Sequence, residues 1–483
     1  MFPTQNLKQA MGVNTVVSPQ MNSALQLWSL MYANQAPWLN EGVTSLGLPV
    51  SISSEIARMA TIEMKVEISG SPRAEFLCEQ LEKLLPKIRQ YIEYGNAKGG
   101  LIFKPYVING EIAFDCVQAD MFLPVSFDTN GNITHVVFAD SRRVGQYWYT
   151  RYESHSLVGN VITIRNVAYK SSTQYSLGSQ CALSEIADWE GLREESGVKD
   201  VIAPLYGYYR YPSANNVDTT SPLGVSCFSR AQDANGGVQL IQQADGIYSS
   251  LVWEFESGKR ALYVDEMAFG KGEDGKPRLP DRRLYRTLQT SANIGTGKEF
   301  FEVWSPEFRD ASIKSGLNAV LRQIEFACGL QYGVLSDPQA VALTATEIKA
   351  SQQRTYSTIT DTQKAVETAL EQLIYAMDVY TDLYKLAPRG TYEVTYNFDD
   401  SIVADHDAQF TQDGIMVDKG AMSLAEYRMR TYGEDEKTAK EKILMAQEEK
   451  QSRVINRVNT VRVSNQNMPM GATNQMVDNG IAN

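Results

Sequence analysis

From Thr344 to Tyr384 the chain carries neither glycine nor proline, and the next proline is Pro388. Within that run Ile359, Val366, Leu370, Leu373, Met377, Tyr380 and Tyr384 recur at spacings of three, four and seven, the period of one helical face. Roughly 40 residues at ~1.5 Å each make a rod of about 60 Å. The rod is entered through GLQYGVLSDPQAVAL, where Gly329, Gly333 and Asp337-Pro338 read as an irregular turn. Thr344 and Glu347 fit a capping box, the hydroxyl serving the Glu347 amide while the carboxylate reaches back. A helix this long, fed by a loop, points to a large assembly rather than a compact enzyme.

A chain of 483 residues, 43% apolar and 21% charged, has room for two to four ordinary domains. Fifty-seven acids against 45 bases leave a formal net charge of −12. Tight clamping of nucleic acid rests on neutralising phosphates, so this balance argues against it and suits a surface that nucleic acid slides past. Cys78, Cys116, Cys181, Cys227 and Cys328 form no CxxC pair and read as reduced thiols, not a disulfide or zinc framework. The start, MFPTQNLKQAMG, lacks a basic-then-apolar pattern, and no run approaches 18 apolar residues. Neither export nor a membrane span is expected.

Ser18-Pro19 opens a helix carrying Leu25, Leu27, Trp28 and Met31, a second helix is predicted from Ser54 to Val66, and Ser71-Pro72 opens a third running to about Tyr94. From Gly99 to Val167 the period becomes two: LIFKPYVI, EIAFDCV, ITHVVFAD, GQYWYTRYE and VITIRNVAY, separated by turns such as Asn109-Gly110 and Asn130-Gly131, predict a mainly antiparallel sheet. Residues 170–235 are loop-rich, with Tyr206, Tyr208, Tyr209 and Tyr211 ahead of a polar stretch that reads as a connector.

Next come two antiparallel helices. One is marked by Val238, Ile241, Tyr248, Leu251, Val252 and Phe255, the other by Ile313, Leu317, Val320, Leu321, Ile324 and Cys328, with Gly329 as its C′ residue. Between them ALYVDEMAF, RLYRTLQ and EFFEVWS predict a small β-rich insertion. TYEVTYNF returns to a strand pattern, Asp418 to Glu449 reads as charged helix broken near Gly433, and Ser464–Asn483 has no period.

Several catalytic patterns fail on inspection. Gly270 to Lys276 matches G-x-x-x-x-G-K, yet Pro277 stands where a hydroxyl must meet magnesium, and Glu273 with Asp274 would repel phosphate. His135, His155 and His406 share no ligand spacing, and no G-x-S-x-G is present. Asp399-Asp400 with Asp405 read as a solvated turn rather than a metal site.

In order along the chain, ADGIYSSLVWEFESGKRALYV (244–264), FFEVWSPEFRDASIKSGLNAVLRQIEFACGL (300–330), YGVLSD (332–337) and TATEIKASQQRTYSTI (344–359) resemble the portal proteins of tailed bacteriophages. The resemblance implies an α+β fold with a wing (1–235), stem helices (236–257 and 307–330) around a β-rich clip (258–306), a tunnel loop (331–343), a spine helix with a wing return strand (344–406), a helical crown (407–463) and a flexible tail (464–483). It implies a non-enzymatic ring, usually of twelve subunits or thirteen in isolation, assembled in the host cytoplasm and set at one capsid vertex of the virion.

Double-stranded DNA would pass through such a ring for packaging and ejection. Its partners would be the terminase, a head–tail adaptor, and the major capsid and scaffolding proteins, with no membrane and no cofactor. Gly333, Val334, Leu335, Ser336, Asp337, Pro338, Gln339 and Val341 would point into the channel, and none is a cation. Lys276, Arg278, Arg282, Arg283 and Arg286 form the most basic local patch, either a solvated edge, a salt-bridge surface between subunits, or a contact for DNA or a partner ring. The two stem stripes and the rod stripe would be buried between neighbours, the alternative being one subunit's own core. Two other classes stay open: an enzyme acting on nucleic acid or nucleotides around 270–276, and a ring-forming scaffold without a DNA channel.

Overall fold

Helices α1 (Thr4–Met11) and α2 (Pro19–Tyr32) begin the chain, and α2 starts as its sequence predicts: the Ser18 hydroxyl accepts from Met21 N and Pro19 fills the first turn. In this computed structural model the described residues are 4–174, 176–229, 236–258, 261–265, 285–288, 301–304, 307–337, 345–398 and 413–446. They fall in two units, Met1–Val403 and Ala404–Asn483.

The second helix, α3, spans Leu48–Thr61 and not Ser54 to Val66. Gly47 at φ +70° and Pro49 in the first turn set the earlier start. Val66 belongs to strand β1 (Met64–Ser69), which buries Val66 and Ile68 in alternation. The third expected helix is two, α4 (Pro72–Glu82) and α5 (Ile88–Lys98), because Pro86 breaks the ladder between them and Gly99 at φ +82° ends the second.

The strand-rich region makes two antiparallel sheets rather than one. A three-stranded sheet orders β10 (Gly207–Arg210), β2 (Gly100–Ile108) and β3 (Glu111–Gln118). Positive φ at both Asn109 and Gly110 closes the β2–β3 turn. The larger sheet runs β4 (Phe122–Phe127), β5 (Ile133–Val144), β6 (Tyr147–Val158), β7 (Val161–Ser171) and β8 (Ser179–Cys181), with β9 (Glu195–Lys199) also on β7. Sequence reading missed β4, whose Pro124 is tolerated because the strand lies at the sheet edge. Lys104 of β2 meets Glu153 of β6 at 3.0 Å, pinning one sheet to the other.

Nor is the segment after Tyr211 a connector. Tyr206, Tyr208, Tyr209 and Tyr211 are buried, and so are Asn215, Ser221, Leu223, Val225 and Cys227 beyond them. The Asn215 side chain replaces regular structure there, donating to Leu223 O and accepting from Val217 N and Asp218 N.

Helices α6 (Gly236–Ser257) and α7 (Asp310–Cys328) form an antiparallel hairpin, since Arg309 and Phe308 before α7 meet Glu254 and Phe255 at the end of α6. Between the two lies a small sheet ordered β12 (Tyr285–Leu288), β11 (Ala261–Asp265), β13 (Phe301–Trp304). The rod is helix α8, Ala345–Tyr384, of 40 residues; the expected cap at Thr344 lies outside the described residues.

The α8 stripe answers the question of what it packs against. Ile359, Val366, Leu370, Leu373, Met377 and Tyr380 are buried within the subunit, against α3, α4, α5 and the two sheets, and only Tyr384 is exposed. The expectation that this stripe is covered by neighbouring copies is therefore corrected: it is core. Strand β14 (Glu393–Phe398) returns to pair with β1, Met64 opposite Phe398.

In the second unit, helices cover 413–418, Leu424–Tyr432 and 436–446. Ser423 and Glu426 form a capping box, and Gly433 at φ +63° makes the expected break. The tail 464–483 lies outside the described residues.

Candidate functional site

The loop that follows α7 is built around a single carboxylate. Gly329 at φ +75° ends the helix, with Leu330 N donating to Glu325 O and Gly329 N to Phe326 O, so the chain turns back over the last turn. That turn carries Glu325, whose residue is 0% exposed. Its Oε1 accepts N–H groups from Gly333 at 3.1 Å, Leu335 at 2.6 Å and Ser336 at 2.8 Å, while Oε2 accepts the Ser336 hydroxyl at 2.8 Å. Gly333, at φ +95°, bends the backbone so that these donors converge.

Three further contacts hold the same segment. Tyr332 N donates to the Ser351 hydroxyl of α8 at 2.8 Å, and Asp337 N to Asn318 Oδ1 of α7 at 2.7 Å. The Tyr332 ring carries two guanidinium groups, Arg322 at 4.6 Å and Arg354 at 5.5 Å from its centre. Arg354 also lies 4.4 Å over Phe326. Val334 and Leu335 pack on the main core.

Of the residues expected to point into a channel, Gly333, Val334 and Leu335 are half-buried, Ser336 is buried and Asp337 is exposed. Pro338, Gln339 and Val341 lie outside the described residues. So do Lys276, Arg278, Arg282 and Arg283, together with the Gly270–Pro277 phosphate-loop lookalike. Arg286 sits in β12, in the register after the Leu262–Tyr285 pair.

Sequence reasoning missed Glu325, Asn318 and Ser351. One signal was available: Glu325 follows Leu321 by one turn, placing a charge beside the apolar stripe just before a glycine-rich loop.

The two stem stripes behave differently from the rod stripe. At the root of the hairpin Val238, Ile241, Ile324 and Cys328 are buried, and Asp245 accepts from Trp38 Nε1 at 3.0 Å and Leu46 N at 2.8 Å. Toward the other end the apolar residues surface: Val252, Phe255 and Phe308 are exposed, and Trp253 is 62% exposed. Phe326, beside the loop, is 53% exposed.

Chemistry of the catalytic kind finds little support. His135 Nε2 pairs with the Ser154 hydroxyl at 2.8 Å and His155 Nε2 with Glu153 Oε1 at 2.7 Å, both as structural imidazoles. Burial would raise the Glu153 carboxyl, but Lys104, His155 and Arg151 around it together hold it well below the usual range. This carboxylate borders a cavity of about 640 Å³ between the two large sheets, whose charges are taken up by one another, as in Lys98–Asp120 and Lys104–Glu153. Among the described residues no group of three His, Cys, Asp or Glu could hold a metal ion, and no helix is long and apolar enough to cross a membrane. His406, Asp399, Asp400 and Asp405 lie outside them.

Comparison with known proteins adds three findings. No curated protein matches the chain. A solved structure titled "Neck of native GTA particle computed with C12 symmetry" aligns over 89% of this chain and 98% of that one, at 13% identity and a TM-score of 0.35, too distant to carry an argument. The family model described as "Phage portal protein, SPP1 Gp6-like" matches residues 84–453, well over half of the sequence. The chain belongs to this structural, non-enzymatic family of phage portal proteins.

Proposed function

We propose that copies of this chain close side by side into a ring at one capsid vertex, through which double-stranded DNA is packaged and later released. In this reading 1–235 with the return strand form the wing, α6 and α7 the stem, 258–306 the clip, 331–343 the channel loop and 407–463 the crown. Twelve copies are the expected number, or thirteen in isolation. The clip, with Lys276, Arg278, Arg282, Arg283 and Arg286, docks the terminase during packaging and a head–tail adaptor afterwards. Capsid and scaffolding proteins surround the ring.

One observation carries the proposal beyond family membership. The α6–α7 hairpin buries apolar side chains at its root and exposes Val252, Trp253, Phe255 and Phe308 away from it. Aromatics left in the open along a helical hairpin are what a repeated heterologous contact would cover. The acidic balance and a loop whose residues from Gly333 to Val341 include no cation support a channel that touches DNA without gripping it.

Electron micrographs of the purified protein are the decisive test, with rings open at the centre expected and lone particles contrary to it. Replacing 338–343 by a glycine–serine linker should leave rings intact and impair packaging or retention of DNA. Reversing the charge of Arg282 and Arg283 should weaken terminase or adaptor binding. Steady ATP turnover by the pure protein would favour an enzyme instead.

A further inference from the structure

We infer that Glu325 is the positioning residue of the channel loop: its carboxylate holds residues 332–337 as a fixed collar. This rests on reading 331–343 as a channel loop. The physical argument begins with burial. A carboxylate removed from water needs compensation, and among the described residues no cation lies within ion-pair distance of Glu325. Backbone and one side chain supply it instead, with three N–H groups and the Ser336 hydroxyl aimed at its two oxygens. Hydrogen bonds to an ionised acceptor are about twice as strong as neutral ones, so this cluster is a strong tether.

Glu325 is also one turn from the helix end, so the tether fixes the loop to the rigid body of α7 rather than to another loop. Ser351 and the Arg322–Tyr332–Arg354 stack fix the same segment to α8, and Asn318 fixes its far end at Asp337. Both long helices thus hold one collar. In a ring the same collar would recur in every copy, so loosening Glu325 would loosen all of the collars.

Glutamine at 325 separates charge from shape. Its Oε1 can keep the three N–H groups and its Nε2 can donate to the Ser336 hydroxyl, whereas alanine removes every bond. Hydrogen exchange followed by mass spectrometry on the full-length protein reads peptides covering 331–337 and, as a control, 366–377. Wild type should exchange slowly over 331–337. Glu325→Ala should accelerate this by roughly tenfold to hundredfold, and both Glu325→Gln and Ser336→Ala, which loses the bonds to Glu325 Oε2 and from Gly333 N, by less. The control peptide should not change.

DNA retention should fall for Glu325→Ala and recover in part for Glu325→Gln, with rings of each variant counted in micrographs. Fast exchange over 331–337 in wild type, or equal protection in Glu325→Ala, would overturn the collar. A loosened collar with unchanged retention would overturn its positioning role. Wild-type protein without open rings would instead remove the channel reading and the positioning role with it, while exchange still reports the tether.

Discussion

Tyr209 of β10 donates its hydroxyl to Oδ1 of Asn96 in α5 at 2.6 Å, both residues sealed from solvent. Burial pushes the phenol well above its ordinary value, so it stays a neutral donor. The ring lies so close to α5 that a Cβ at Gly95 would come within 2.6 Å of it. Tyr209→Phe leaves the Asn96 oxygen buried without this donor and should cost about 1–3 kcal/mol in urea unfolding. Unchanged stability would mean that water replaces the bond.

The apolar face of α8 should reveal itself as a core face. Leu370→Ala is expected to destabilise the isolated subunit by about 2–5 kcal/mol, whereas Tyr384→Ala at the exposed end should stay within ~0.5 kcal/mol. The measurement is denaturant unfolding of the monomeric fraction. A Leu370→Ala monomer as stable as wild type would return the stripe to the space between subunits.

Opposite behaviour is expected on the hairpin. Trp253→Ala should leave monomer unfolding unchanged and lower the fraction of rings seen by sedimentation. If the indole is an anchor in the contact, the loss is on the order of 2 kcal/mol, about a thirtyfold rise in the concentration needed to assemble. Assembly at the wild-type concentration would release this face from the interface.

Acid should loosen the junction between the two large sheets. Glu153 titrates lower in the folded chain than in the unfolded one, so its contribution is complete above its ordinary value of 4.5 and drains as pH falls through the depressed folded value. Lys104, Arg151 and His155 pair with it, and Tyr380 of α8 lies near enough to interact with its charge. Unfolding curves below pH 4 should therefore be less steep in pH for Glu153→Gln than for wild type; identical slopes would place the acid sensitivity elsewhere.

Much of the architecture was legible because periodicity and punctuation agree along it. The stripe of α8, the Ser-Pro starts of α2 and α4, and the Asn-Gly turn after β2 each state their structure locally. Failures came where a single residue outranked the pattern. Pro86 split a helix whose apolar period continues through it, and Pro124 hid an edge strand. The segment after Tyr211 looks polar, yet its Asn215 and Ser221 are satisfied inside the core. Glu325 was hardest to see, since a charge on a helix normally reads as exposed until the N–H groups that surround it are known.

The pairing of Met64–Ser69 with Glu393–Phe398 has a consequence for biosynthesis. The first strand emerges from the ribosome with no partner, and its mate follows only after more than three hundred further residues. At roughly 5–20 residues per second, that interval is about a quarter of a minute to a minute. Throughout it a bare edge carrying Val66 and Ile68 is exposed to every other nascent copy nearby. The chain thus passes through a vulnerable stage before its first unit can close.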